Sequence, residues 1–382
     1  MTIPKVIELR HNLHAHPELS NYESNTAKII TAFISQYKPD KIIQRLGGHG
    51  IAAVYDMPDE GPTIMIRCEL DALPIEEINE DLTYKSILKG VSHKCGHDGH
   101  MAIVSGLSEW LDTKPISSGK VILLFQPAEE NGQGAERVIN DTRFKSLEPD
   151  YIFALHNIPS EPMHSIILMD KGFSAEVISV IIKITGVTSH AAEPHKGTNP
   201  ARCLSQIITS LEELNVTDPN DDKFSILTPV HINMGEANYG ISPGSGELHY
   251  TLRTWDEIHM TKLKEDINNI VQQICEQQET SYTLKWLEHF PASSNNSACN
   301  GYIRQAAMEN KFDLIDRPYP FKFGEDFGWY TSEYKTAMFG LGAGLDTPPL
   351  HNAAYDFPDE IIPTGIAMFK TVIRSILNDG SN

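Results

Sequence analysis

Three short apolar runs, at 63–69, 121–126 and 151–155, constrain this chain more than any other feature. Each has the length of a strand, and stretches with helical spacing separate them, notably 102–111. Strands alternating with helices predict an α/β fold with a mostly parallel sheet covered by helices. Each run also leads into a chemically capable group: the first into Asp71, the second into Glu129-Glu130 and the third into His156. In open α/β sheets the loops after the strand ends converge, so these side chains are expected on one rim.

Between the first two runs lies His93-Lys-Cys-Gly-His97-Asp-Gly-His100, which holds three histidines, a cysteine and an aspartate. Cys95 and His97 are two apart, and Gly96 and Gly99 allow backbone conformations that turn both donors to one centre. Imidazole with thiolate suits a transition metal rather than calcium or magnesium. A polar surface loop is the plainer alternative until further ligands are found. Each further candidate has its own bland reading. Glu129-Glu130 would suit a helix N-terminus. His156 would pass for a satisfied core histidine, and His351, after Pro348-Pro-Leu, for a turn residue. The balance shifts because five donors, Cys95, His97, Glu130, His156 and His351, fall at loop positions that the coarse fold brings together. Arg10, His14, His16 and Glu18 crowd the end of the first helical stretch, where spacing alone marks no site.

From about residue 173 the texture changes to strand 177–186, helix 200–214, strands 225–233 and 246–253, helix 257–276 and strand 281–286. That order is ferredoxin-like. It predicts a smaller α+β domain, 174–287, inserted into a discontinuous larger one, 1–173 and 288–382.

A formal net charge of −20 argues against nucleic acid and anionic membrane surfaces as partners. The start of the chain shows no secretory signal pattern, and no apolar run is long enough to span a bilayer. Five scattered cysteines read as reduced thiols, so a cytoplasmic location is expected.

Taken in order, the motifs resemble the amidohydrolase branch of the aminoacylase/carboxypeptidase metallopeptidase clan, which includes hippurate hydrolases, auxin-conjugate hydrolases and N-acetyldiaminopimelate deacetylases. The resemblance spans essentially the whole chain. It rests on His14-Ala-His-Pro-Glu18, Arg67-Cys-Glu-Leu-Asp71, His93 to Met101, Phe125-Gln-Pro-Ala-Glu-Glu130, Leu155-His-Asn157, Ser189-His190-Ala-Ala-Glu-Pro-His195, Gly324-Glu-Asp-Phe327 and Pro349-Leu-His-Asn352. It implies that Cys95, His97, Glu130, His156 and His351 hold two divalent ions, manganese or zinc, with cobalt and nickel as alternatives. It further implies that Glu129 is the general base and that Asp71 orients a metal histidine. His190 would reach the active site of a partner subunit in a homodimer formed through the inserted domain, and Arg253 would recognise a substrate carboxylate. The implied reaction is hydrolysis of N-acyl amino acids. A dipeptidase or carboxypeptidase of the same clan is the alternative, and a non-catalytic metal- or ligand-binding protein a more distant one.

Two positions depart from the family pattern. Gly240-Ile-Ser-Pro243 stands where Asn-Val-Ile-Pro is usual, and Glu69 is a longer carboxylate than the usual Asp.

Overall fold

The computed structural model describes residues 3–170 and 172–379. Of the expected domain ranges, residues 1–2, 171 and 380–382 lie outside the described residues. The chain forms two compact units, one comprising Met1–Phe173, Ser293–Pro320 and Glu325–Asn382, the other Ser174–Ala292 with Phe321–Gly324.

The first unit is built on an eight-stranded sheet. Its strands run Lys41–Leu46, Gly50–Asp56, Ser118–Gln126, Asp59–Glu69, Tyr151–Ile158, Lys335–Gly342, Ile166–Leu168 and Leu314–Asp316 across the sheet. The four central strands are mutually parallel, and antiparallel pairings are confined to the flanks. Alternation explains why the central strands read as continuous apolar runs. Ile64, Ile66 and Cys68 enter one hydrophobic cluster, while Met65, Arg67 and Glu69 point the other way and are buried as well. A strand covered on both faces carries no solvent-facing polar stripe, and here the polar Arg67 and Glu69 are buried too. Helices Ile3–Ala15, His97–Ser105, Ser297–Asn310 and Ile362–Asp379 supply Leu9, Ile103, Ile303 and Phe369 to that cluster.

Three features depart from the sequence reading. The strands are longer than the apolar runs, beginning at Asp59 and Ser118. An antiparallel pair, Lys41–Leu46 with Gly50–Asp56, extends the sheet through a tight Gly47-Gly48 turn. The helix expected from residue 102 begins at His97, which changes how the donors are presented.

The second unit is a four-stranded antiparallel sheet in the order Ser281–Phe290, Glu176–Thr185, Ser245–Thr254, Ser225–Met234. Helices Ala201–Glu212 and Glu257–Gln277 pack on one face, where Val180, Ile182, Leu248 and Leu252 meet Leu204, Ile207, Leu263 and Ile267. Element order and strand order together make this the ferredoxin-like α+β domain expected from the sequence. Among the described residues, no helix is long and apolar enough to cross a membrane.

Candidate metal centre

The metal loop is shaped by Gly96. Its φ of 98° is left-handed, and a Cβ there would overlap the side-chain amide of Asn157. Only glycine fits such a close approach at low cost. The helix then starts at His97, whose imidazole lies one turn from that of His100.

Around this start the structure gathers all five expected donors and Glu129. The ligand atoms of Cys95, His97 and His156 lie within 4.8 Å of one another, as do those of Cys95, Glu130 and His351, and those of His97, Glu129 and Glu130. Cys95 is shared by the first two groups, so the donors form two adjoining sets. His97 Nε2 stands 3.8 Å from both Glu129 Oε2 and Glu130 Oε1, and His351 Nε2 stands 3.8 Å from Glu130 Oε2. These separations are too long for hydrogen bonds. His97 Nε2 and Glu130 Oε1 are buried with no hydrogen-bond partner. A buried polar atom left unpaired is costly, and a shared cation removes that cost.

The surrounding bonds aim lone pairs inward. His97 Nδ1 donates to the main-chain carbonyl of Asp71 at 2.8 Å, and His156 Nδ1 donates to that of Asn157 at 2.9 Å. Because a carbonyl only accepts, each proton is fixed on Nδ1 and each Nε2 lone pair is left for the centre. His156 Nε2 lies 3.5 Å from Cys95 Sγ. His351 has a φ of 64°, and its amide donates to Lys94 O at 2.7 Å, tying it beside Cys95. Such a strained backbone persists only where its surroundings enforce it.

The electrostatics describe a centre short of positive charge. Burial, then Glu325 and Glu130, push Glu129 well up, while burial and Asp71 do the same to Glu130. Burial and the carboxylates of Glu130 and Glu129 raise the Cys95 thiol. Burial and His100 lower His156, which keeps it neutral and able to ligate. Thiol, imidazole and carboxylate together fit a pair of divalent transition-metal ions.

Asp71 contacts this centre with both its main chain and its side chain. Its carboxylate is 3.7 Å from His97 Nδ1 and accepts the amides of Glu129 at 3.1 Å and Glu130 at 3.0 Å. It also accepts from the Ser20 hydroxyl at 2.7 Å. Asp71 therefore holds His97 by its backbone and the two glutamates by its side chain.

His190 and Arg253 belong to the second unit. The exposed His190 pairs with Ile241 across two short strands, and Gly240 O accepts the Ala191 amide at 3.0 Å. Arg253, half-buried on the strand Ser245–Thr254, donates to Lys322 O at 2.6 Å.

Sequence reasoning missed two buried charge clusters. Arg67 binds Glu69, Gln126 at 3.0 Å, Asp326 at 2.6 Å and Glu325 at 2.9 Å. Glu69 in turn holds His100 Nδ1 at 2.6 Å. Their signal was present, since Arg and Glu alternate inside a buried apolar strand. The other cluster joins Arg10, His14, Glu77, Lys94 and Asp98. There the signal was i, i+4 spacing, because Val6, Arg10 and His14 continue one buried stripe.

Residues 65–375 match the model of peptidase family M20/M25/M40. N-acetyl-L-cysteine deacetylase of Bacillus subtilis is 36% identical over 364 residues, covering 94% of this chain and 85% of its own. An uncharacterized hydrolase of Staphylococcus saprophyticus is 31% identical, with 97% of each chain covered. The crystal structure of a dinuclear metal-binding peptidase of the M20 family from Bacillus subtilis superposes with a TM-score of 0.83 at 25% identity, over 98% of both chains.

Proposed function

Because this chain belongs to peptidase family M20/M25/M40 and is a metal-dependent amide hydrolase, we propose that its substrates are N-acyl amino acids, cleaved to a carboxylic acid and a free amino acid. The relative's name makes short acyl groups, acetyl first, the starting point. One observation carries the reading: Glu129 stands beside the donors while neither thiol-centred set includes it.

In this reading Cys95, His97, Glu130, His156 and His351 hold two divalent ions. Bound there, the ions would polarise the scissile carbonyl and acidify a water. Glu129 accepts the proton of the attacking water and later delivers it to the leaving amine. Its raised pKa, due first to burial and then to Glu325, suits both halves of that transfer. The Asp71 side chain, by accepting two consecutive amides, keeps Glu129 and Glu130 turned to opposite duties. His190 of the partner subunit in a homodimer steadies the oxyanion, and Arg253 meets the substrate carboxylate. Gly240, whose carbonyl bonds the residue after His190, removes a side chain from that neighbourhood and points to an altered substrate range.

The test is amine release from acetyl, benzoyl and longer N-acyl amino acids, with dipeptides alongside, using protein stripped of metal and reloaded with manganese or zinc. Turnover should depend on metal and fall about 10²–10⁴-fold in Glu129→Gln at unchanged metal content. Full activity in that variant would sink the assignment of the base. Preference for dipeptides would move the substrate class.

A further inference from the structure

A second group of metal-type donors lies in the smaller unit, on the sheet face turned away from its two helices. His249, on the central strand Ser245–Thr254, stands directly opposite His231 on the edge strand Ser225–Met234. Their rings meet edge-on with centroids 4.8 Å apart. Glu247 lies two residues from His249, hence on the same face.

Three donor atoms converge there without bonding one another. Glu247 Oε1 is 3.5 Å from His249 Nε2 and 4.0 Å from His231 Nε2. One nitrogen, one oxygen and a second nitrogen lie mutually within 4.8 Å. Zinc–ligand distances of about 2.0–2.1 Å place ligand atoms of a tetrahedral site about 3.4 Å apart. The observed separations are close to that spacing and too long for good hydrogen bonds. His249 Nε2 is shielded from solvent and has no hydrogen-bond partner. The edge strand is irregular just here: the register shifts between His249 and Tyr250, whose partners are His231 and Pro229. A bulge of this kind re-aims side chains, and here it brings the edge-strand imidazole over the carboxylate of its neighbour.

We propose that His231, Glu247 and His249 form a separate site for a divalent transition-metal ion, zinc in the first instance, that fastens the edge strand of the smaller unit to its central strand. Two imidazoles and one carboxylate are a recurrent zinc set, with the fourth position left to water. The site shares no residue with the centre at Cys95, and it stands whatever amide that centre cleaves. The rival account is a protonated imidazole paired with Glu247, which needs no metal.

Equilibrium dialysis of the whole protein against zinc chloride, with zinc counted per chain, separates the two. The variant His231→Ala/His249→Ala should hold one zinc fewer per chain than the wild type, and zinc should raise the Tm of the wild type more than that of the variant. Equal counts would overturn the proposal. If the double variant fails to fold, Glu247→Gln carries the test, since it keeps side-chain volume and both imidazoles. It should weaken the additional site roughly tenfold or more, and unchanged affinity would overturn the assignment.

Discussion

In the cluster around Arg10, every cation has a carboxylate at hydrogen-bonding distance. The guanidinium meets Asp98 at 2.9 Å and Asp359 at 3.2 Å, and also bonds Asp356. His14 lies between Asp98 at 2.8 Å and Glu77 at 3.1 Å, and Lys94 reaches Glu77 at 2.6 Å. Around Cys95, next to Lys94 in sequence, the same kinds of side chain stand 3.8 Å apart, and two of their atoms have no partner. In the first cluster every cation is paired, although Asp98 Oδ1 is itself buried without a hydrogen bond; the second is short of positive charge. The lesson is that Lys94 and Asp98 belong to the closed cluster while Cys95 and His97, between them, belong to the open one. A single short segment is clamped on one side so that its other side can stay unsatisfied.

The largest expected effect tests the open side. Exhaustive chelation should abolish amide hydrolysis and lower the Tm, because Glu129, Glu130 and the Cys95 site then crowd together without a counter-charge. Readdition of manganese or zinc should restore both. Full turnover with no metal detectable by mass spectrometry would show that the open cluster works without a cation.

Next comes the closed side. Arg10→Met leaves Asp98 buried beside lost positive charge, and removal of one partner from a buried ionic network costs about 3–5 kcal/mol. Urea unfolding of the metal-loaded protein should show that loss. A variant as stable as the wild type would mean that Arg10 only fills space.

How far such contrasts were legible beforehand depends on the residue. The α/β sheet was readable because strands buried on both faces are continuous apolar runs, and the inserted unit because its six elements alternate cleanly. The open donors stood out because Gly96 and the end of the apolar run at Leu155 mark them, although His156 lies inside the strand Tyr151–Ile158 rather than in the loop after it. His100 was not assigned a role, since its place beside Glu69 depends on the helix beginning at His97, a choice made by the φ of Gly96. At Arg10 and His14, near the end of the first helical stretch, spacing alone marks no site. Their burial requires the acidic partners Glu77, Asp98, Asp356 and Asp359, which are remote in sequence and which no local period reveals. Local rules find donors that a turn or the end of an apolar run presents; they miss those whose partner is distant chain.

Gly96→Ala sharpens the boundary between the two sides. Holding alanine at a left-handed φ costs about 1–2 kcal/mol, and the clash with Asn157 adds to it, so about 2–3 kcal/mol is expected. Because Gly96 separates Cys95 from His97, metal affinity should fall along with stability. Lost stability at unchanged metal affinity would show that the loop does not set the donors.

The smallest effect, and the most specific, concerns His14. Burial alone would lower its pKa, but the hydrogen bond to Asp98 and that to Glu77 raise it from 6.5 to about 8. A folded pKa above the unfolded one means that the stabilisation is complete below pH 6.5 and is lost as pH rises through 8, a swing of about 2 kcal/mol. On the acid side, burial would raise Glu77, yet its bonds to His14 and Lys94 bring it from 4.5 to about 2, so its contribution is complete above pH 4.5 and fades as pH falls toward 2. The cluster is therefore strongest between about pH 4.5 and 6.5. Metal binding carries its own pH dependence, which a comparison of wild type with His14→Gln at each pH removes. The stability gap between the two proteins should narrow by about 2 kcal/mol from pH 5.5 to pH 8.5 in urea melts. A gap that stays constant would mean that His14 has the same pKa folded and unfolded, and a gap that widens as pH rises would mean that it is neutral in the folded protein. Arg10 and Lys94 would then be the only positive charges closing the cluster.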